Sequence, residues 1–477
     1  MTAIDPETLG TATDRPFAFD DRALFGHPRG LALLFVVEMW ERFSFYGMRA
    51  LLVLYLVNVV RWSDARADHL YGTYTGLVYL TPLIGGYLAD KLIGTRRSLV
   101  IGGCIIAAGH FALAFETMAS FYIGLALVII GTGFFKPNVS TMVGQLYKPG
   151  DRRRDAGFTI FYMGINLGGF IAPLICGYLA QGAGFRHLLE SAGLDPARSW
   201  RWGFAAAGVG MLVGLAVYLS LRERYLPGIG LPYRTTLHSG ARDGTLAEPP
   251  LTTAERRRVV ALLLTFVFTV IFWMAYEQAG SSLNLFADRY TNLHVLGMSV
   301  PSSWLQSEQP FFVLLFAPAF AALWQALGAR GKEPSTPLKM AIGLACIGGG
   351  YLFMVAAGRL VDTCLAGHGS GSCAVAGPGW LSSFYLFSVL GELCLSPVGL
   401  SYVSKLAPAR YASVLMGAWF LAIAGGEKLA GELAALTSRM HSQAAFFAIP
   451  VVAALVAAIA LALLVPTLAR LTGAETA

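Results

Sequence analysis

Apolar runs, each long enough to cross roughly 30 Å of hydrocarbon, recur along the chain between short polar breaks rich in arginine, glycine and proline. About 12 such runs are predicted, over 31–60, 72–93, 97–118, 120–146, 155–183, 202–222, 257–287, 308–328, 337–358, 378–405, 411–436 and 443–468. A chain in lipid must satisfy its own backbone N–H and C=O groups, so runs of this length are helices. The pattern predicts an all-α, polytopic membrane protein with nothing large left over for a soluble domain.

Between the sixth and seventh runs lies a charged stretch from Arg222 to Arg258, interrupted by Pro227, Pro232, Pro249 and Pro250. It reads as a linker joining two halves of six spans. The predicted division is a cytoplasmic tail over 1–30, a six-helix half over 31–222, a cytoplasmic linker over 223–256, a second six-helix half over 257–468 and a cytoplasmic tail over 469–477. The second run ends in Gly85-Gly86-Tyr87-Leu88-Ala89-Asp90-Lys91-Leu92-Ile93-Gly94-Thr95-Arg96-Arg97, faintly echoed after the eighth by Gly328, Arg330, Gly331 and Lys332. Two six-span halves with this turn resemble the major facilitator superfamily, which implies a midplane substrate site between halves that rock against each other. The resemblance also implies that Asp90, Arg96 and Arg97 latch the cytoplasmic side; an ordinary capped basic loop fits the same residues.

Composition agrees with a lipid environment, since only 13% of the 477 residues are charged and 56% are hydrophobic, against about 25% charged in soluble proteins. The formal charge of +7 would raise nucleic acid as a partner in a soluble protein. Here the basic residues fall mainly in alternate loops: Arg96 and Arg97, Arg152 to Arg154, Arg222 to Arg258, Arg330 with Lys332, and Lys405 with Arg410. They report topology and not nucleic acid, and the positive-inside rule puts both termini in the cytoplasm of a cell with this protein in its inner membrane. Arg186, Arg198 and Arg201 lie in the opposite loops, so the bias is statistical. The first 28 residues lack a basic n-region and a cleavage site, so the first span is expected to act as the insertion signal. Cys104, Cys176, Cys346 and Cys394 fall within spans as small apolar residues. Cys364 and Cys373 share one loop, where the sequence leaves a disulfide open, and no metal spacing is present.

The first run carries the chemistry. With Glu38 at zero and about 100° per residue, Glu41 falls near −60°, Arg42 near 40°, Phe45 near −20°, Tyr46 near 80° and Arg49 near 20°. The stripe is about 16 Å long at 1.5 Å per residue, and it cannot face lipid, because each ionisable group at bilayer depth costs at least a few kcal/mol unless it lines a cavity and finds partners. Partners exist in Lys136 of the fourth span, Glu277 of the seventh and Glu392 of the tenth. Four acids (Glu38, Glu41, Glu277, Glu392) then face three bases (Arg42, Arg49, Lys136), which leaves one acid unpaired. An unpaired buried carboxylate takes up a proton rather than remain charged, and a cavity holding one is poised for symport. His110 alone among eight histidines sits well inside a span, where hydrogen-bonded structure is the plainer role.

Basic groups on one half and acidic groups on the other match a zwitterion, above all an amino acid or short peptide. Arg42, Arg49 and Lys136 can take a carboxylate, the arginines with paired hydrogen bonds, and Glu392 can take an ammonium group. Tyr46, Tyr74, Tyr79, Tyr162, Trp273, Tyr276 and Trp419 lie on spans that would line such a cavity.

The stretch Glu38-Met39-Trp40-Glu41-Arg42-Phe43-Ser44-Phe45-Tyr46-Gly47 is similar to the Glu-x-x-Glu-Arg-Phe-x-Tyr-Tyr-Gly motif of the proton-coupled oligopeptide transporters within the major facilitator superfamily. Further matches are Tyr79 to Asp90, Gly133 to Asn138, Phe161-Tyr162-Met163-Gly164-Ile165-Asn166-Leu167-Gly168, Phe272 to Gln278, Leu305 to Pro310, Glu392 to Pro397 and Met416 to Leu421. The resemblance implies import of di- and tripeptides driven by the proton gradient, without a cofactor; the sequence does not give the oligomeric state, and a monomer is the expectation. It implies that Arg42, Arg49 and Lys136 meet the peptide carboxylate and that Asn166 and Glu392 meet its amino group. Tyr46, Tyr79, Tyr162, Trp273, Gln309 and Trp419 would line the pocket. Glu277 would protonate and pair with Arg49, with Glu38 and Glu41 coupled to Arg42 and Lys136.

Four positions depart from that family's pattern. Phe45 replaces a tyrosine, Gln309 an asparagine and Glu427 an asparagine, while Gly72 stands where animal members carry a coupling histidine. Glu427 adjoins Lys428 and reads as locally neutralised. An anion carrier would have no need of Glu392, and a membrane enzyme would need a histidine cluster, metal ligands or an activated nucleophile that the spans lack. The third rival reading is a peptide sensor that does not transport.

Overall fold

The computed structural model describes residues 23–24, 26–148, 151, 153–231, 251–295, 297–368, 373–408 and 411–473. Arg152, Arg410 and most of the predicted linker and terminal tails lie outside them. The chain is almost wholly helical. The first half comprises α1 (Arg29–Asn58), α2 (Asp64–Leu88), α3 (Thr95–Leu113), α4 (Met118–Gln145), α5 (Arg153–Gln181), the short α6 (Ala183–Ser191) and α7 (Ser199–Tyr225). The second comprises α8 (Thr253–Tyr276), the short α9 (Ser282–Tyr290), α10 (Glu308–Ala329), α11 (Thr336–His368), α12 (Gly379–Leu406), α13 (Ala412–Ala434) and α14 (Gln443–Thr472).

Each of the twelve apolar runs falls on one of the twelve long helices described, though α2 begins eight residues before its run and α11 ends ten residues after its own. Ten are apolar enough to cross a membrane by composition alone. The two that are not are α1 and α2, and the reason is local. The charged stripe interrupts α1, whereas α2 mixes Asp64, Arg66 and Asp68 with tyrosine, threonine and glycine. Protein surrounds α1, with residues from Gly30 to Val57 buried along nearly its whole length, so its charges meet neighbouring helices and not lipid.

Several element ends are set by local hydrogen bonding. Thr117 with Ser120, and Thr252 with Glu255, form reciprocal caps that start α4 and α8. Asp362, on a polar extension of α11 beyond the predicted run, accepts hydrogen bonds from the backbone N–H of Gln443 at 2.7 Å and of Ala444 at 3.1 Å, and so caps α14. The seventh run is not one helix: it breaks at Glu277–Gly280 before α9 resumes. The second run closes in a π-helical turn over Ala89–Ile93, ended by Gly94 at φ +84°, a left-handed conformation that favours glycine. Cys364 and Cys373 are joined in a disulfide.

Each half packs on itself, α1 with α5 and α7 and α3 with α4 in the first, α11 with α12 and α14 and α8 with α13 in the second. Between the halves, α2 lies on α13 and α5 on α10. The second span of each half therefore meets the fifth of the other, the contact pattern of a two-fold relation. The polar contacts described between the halves gather toward one end. Arg289 grips Asp64 with two nitrogens at 2.6 and 2.7 Å, Asn58 donates to Asp288 at 2.8 Å, and Asn284 donates to the Ala50 carbonyl at 3.0 Å. On the α2–α13 seam, a Cβ at Gly72 would stand 2.8 Å from the Gly431 Cα. No side chain fits there, which accounts for the missing histidine.

Candidate transport site

Three clusters of charge lie along the contact between the halves. The first belongs to α1. Arg42 holds Glu41 through both Nε and Nη2, the latter at 2.6 Å from Oε1, and its Nε lies 3.4 Å from Glu38 Oε1. All three are buried, and Glu38 Oε2 has no hydrogen-bond partner among the described residues.

The second cluster crosses between halves. Arg49 Nη2 lies 2.7 Å from Glu277 Oε2, while its Nε donates to Tyr71 Oη at 2.7 Å and that hydroxyl donates to the same Glu277 oxygen at 3.1 Å. Three helices thus converge on one carboxylate, and the break that follows α8 delivers it. Glu277 stands at the C-cap of α8, where the 3-10 turn over Glu277–Gly280 begins.

The third cluster surrounds Glu392 on α12. Tyr276 of its own half donates to Oε2 at 2.6 Å, and Tyr162 of the other half donates to Oε1 at 2.9 Å. Tyr162 is held there because α5 approaches α1 closely at Gly168, where a Cβ would stand 2.2 Å from the Met39 carbonyl oxygen. Asn166, one turn on, donates to the Tyr162 carbonyl at 3.0 Å.

Pairing off the charges leaves an informative remainder. Arg42 is taken by Glu41 and Glu38, and Arg49 by Glu277. Lys136 pairs with no carboxylate among the described residues; its Nζ lies 4.0 Å from the centre of the Tyr79 ring, a cation–π contact. Glu392 is held by hydroxyls and by no cation. A free cation therefore stands on the first half and a free carboxylate on the second.

Aromatic rings fill the space around them. Arg42 lies 5.0 Å from the Phe45 ring centre and Arg49 5.5 Å from that of Tyr46. Trp273 packs edge-on against Tyr276 at 5.1 Å. Trp419 sits edge-on to Phe266 and so close to Gly399 that a Cβ there would be 2.1 Å from the indole. The indole N–H groups of Trp273 and Trp419 have no partner among the described residues.

Comparison with known proteins follows the same lines. The family model described as "PTR2: POT family" matches residues 96–226 and 250–452. The chain belongs to the POT family. It is 36% identical over 520 residues to the uncharacterized transporter YclF of Bacillus subtilis (strain 168), covering 98% of this chain and 99% of that one. Identity to the peptide transporter YePEPT of Yersinia enterocolitica is 35%, over 89% of this chain and 90% of the other. A di-/tripeptide transporter of Lactococcus lactis subsp. cremoris is 32% identical over 95% and 98% of the two chains. Among solved structures, a peptide transporter POT in complex with sulfate superposes with a TM-score of 0.81 at 36% identity, covering 94% of this chain and 97% of that one. A POT family transporter in complex with 5-aminolevulinic acid gives 0.79 at 29%, covering 94% and 98%.

Within this POT chain, the two arginines expected to meet a ligand carboxylate are both engaged by the protein's own carboxylates, and Lys136 alone among the three bases is not. Gln309, where the family has asparagine, is buried and donates to Ser388 at 3.3 Å. Of the predicted latch, Arg96 makes contacts within its own half: it donates to the carbonyls of Leu226 and, at 2.6 Å, Ile229, and lies 3.1 Å from Glu223. It pins the chain leaving α7 rather than bridging halves. Arg97 is exposed, and the Asp90 side chain lies outside the described atoms.

Two residues have surroundings that the sequence reading did not give them. Tyr71 was one tyrosine among many in α2, and only the fold brings it to Arg49. Glu427 is the larger correction: Lys428 does not neutralise it, because the lysine points away to Thr73, at 3.0 Å, and to Glu432. Glu427 is buried at 1% exposure, within electrostatic reach of Glu277, Arg49 and Lys136. A signal for this was available, since consecutive helical residues are turned about 100° apart and do not face each other.

Proposed function

We propose that this transporter imports di- and tripeptides together with protons across the inner membrane by alternating access, as a monomer and without a cofactor. The observation that carries the reading is the free cation on one half opposite the free carboxylate on the other. A zwitterionic peptide supplies both missing counter-charges at once. Its carboxylate goes to Lys136, with Arg42 and Arg49 beside it, and its ammonium group to Glu392, with the Asn166 side-chain carbonyl alongside. Tyr46, Tyr79, Tyr162, Trp273, Gln309 and Trp419 form the walls. The named activities of the Yersinia and Lactococcus relatives support a peptide, and the ligand of one solved neighbour is an amino acid in its own name.

Proton coupling follows from competition for the same bases. A peptide carboxylate that draws on Arg49 or Arg42 leaves Glu277, or Glu38 and Glu41, without a cation, and a buried carboxylate so stranded takes a proton. With both termini cytoplasmic, the end closed by Asp64, Arg289, Asn58 and Asp288 faces outward, so this is the inward-facing form. Asp90, Arg96 and Arg97 would complete a cytoplasmic latch in the opposite form.

The test is uptake of a labelled dipeptide into liposomes under an inside-negative, outside-acidic gradient. Accumulation above the external concentration is expected, abolished by a protonophore. Binding without accumulation would instead favour a sensor.

A further inference from the structure

Glu427 has no place in that scheme, yet it is as deeply buried as any charge in the site. Neither of its carboxylate oxygens has a hydrogen-bond partner among the described residues. The hydroxyl beside it, Thr75 on α2, spends its proton on the Tyr71 carbonyl at 3.0 Å. The charges facing it complete the argument. From α1 comes Arg49, from α2 the hydroxyls of Tyr71 and Tyr79, from the end of α8 Glu277, and from α4 Lys136. Arg49 is already committed to Glu277 at 2.7 Å. On its own helix, Lys428 and Glu432 engage each other, Thr73 and His69 on the outer face.

With Glu427 included, the five carboxyls of the charge clusters (Glu38, Glu41, Glu277, Glu392, Glu427) share three cations (Arg42, Arg49, Lys136), an excess of two; Asp68, also buried on α2, belongs to the separate group with Asp64 and Arg289. Resting on the reading of this chain as a proton-driven transporter, we propose that Glu427 is a proton carrier in its own right, so that each peptide moves with two protons, one of them on Glu427.

Its position gives the proton a route and a gate. Glu427 lies on the α2–α13 seam, where a Cβ at Gly72 would meet the Gly431 backbone at 2.8 Å and one at Gly76 the Ala424 carbonyl at 3.1 Å. While the seam is shut, the outer bath does not reach the carboxyl. Parting of α2 from α13, which opening toward the outside requires, exposes Glu427 to the outer bath, where it loads. Closure returns it to the seam as a neutral acid, and after peptide release Arg49 stabilises the Glu427 carboxylate while the proton passes to water in the inward-open cavity.

The test is a reversal measurement in proteoliposomes with a neutral zwitterionic dipeptide and no pH gradient. A tenfold peptide gradient is balanced by about 59 mV when one proton is moved and about 30 mV when two are. This balance is a ratio and does not depend on how much protein is active. The unaltered protein is expected to reverse near the two-proton value and Glu427→Gln near the one-proton value. Reversal of the unaltered protein at the one-proton value, or identical reversal in both proteins, overturns the proposal. Absence of any reversal in the unaltered protein overturns the transport reading itself. Should Glu427→Gln fail to transport, infrared spectra of the purified proteins at neutral pH decide. A protonated-carboxyl band that shifts in heavy water and is weaker in Glu427→Gln than in the unaltered protein supports the proposal, and bands of equal intensity in the two proteins refute it.

Discussion

Glu277→Gln tests the coupling most directly. The Arg49–Glu277 contact is 2.7 Å long with 6% of each side chain exposed, and it joins the two halves. Removing one partner of such a pair costs about 3–5 kcal/mol, because the other charge is left buried. The penalty falls on the conformation that makes the contact. Once the halves part at this end, water solvates Arg49 whether residue 277 is Glu or Gln. Gln can still accept from Arg49 and Tyr71, so the lower bound of about 3 kcal/mol is the appropriate figure, a shift of roughly a hundredfold toward the outward-open form at about 1.4 kcal/mol per tenfold. Spin labels at Val59 and Met298, which are 39% and 64% exposed, report the separation of the two halves at this end. The distance distribution should move outward in Glu277→Gln. Proton-driven accumulation should be lost while peptide counterflow persists at a lower rate. An unchanged distribution, or equal loss of accumulation and counterflow, would remove Glu277 from the coupling role.

Three further expectations follow from the pairing pattern. Lys136→Ala should weaken uptake of free dipeptides by about tenfold or more, the loss of one charge-assisted contact, yet leave residual competition by C-terminally amidated peptides unchanged; an equal effect on both would detach Lys136 from the carboxylate. Tyr162→Phe removes one of the two hydroxyls on Glu392, and a hydrogen bond to a charged group is worth about 1.5–3 kcal/mol. Discrimination against N-acetylated dipeptides in competition assays should therefore shrink, whereas a uniform loss for all ligands would point to packing alone. Arg289→Ala breaks a pair whose side chains are 35% and 21% exposed, worth about 1 kcal/mol or less after solvent screening. The same spin-label distance should shift only a few-fold in population, and a shift as large as that of Glu277→Gln would reverse the ranking of the two contacts.

The number of spans was legible because lipid imposes one rule on every segment: enough apolar residues to cross, with the backbone bonded internally. That rule says nothing about direction within a span, which is why the break after Glu277 and the π-turn at Ala89–Ile93 went unseen. The α1 stripe was legible because helical geometry alone puts Glu38, Glu41, Arg42 and Arg49 on one arc. Which base takes which acid was not, since Arg49 and Glu277 are 228 positions apart and meet only through packing between halves. Adjacency in sequence misled at Glu427, where the lysine next along the chain faces elsewhere. Tyr71 carried no signal at all, as a tyrosine in α2 is ordinary until its hydroxyl is found between an arginine and a carboxylate.

The pairing pattern also explains why so costly a set of buried charges can be switched. Were every base matched to an acid within one half, each half would be electrically complete and opening would cost nothing in charge, so neither substrate nor proton would bias it. Arg49 and Glu277 are split between the halves, and opening this end separates them. Lys136 and Glu392 are also split, but neither forms an ion pair among the described residues. A zwitterion that bridges them restores balance only while the halves are close, so its binding energy falls preferentially on closed forms. A ligand with one charge would satisfy one side and leave the other stranded in a closing cavity, at a cost of several kcal/mol. On the proposed function, selection for both ends of the substrate arises from the same electrostatics that drive closure, and a ligand blocked at either end should bind the open form without being carried.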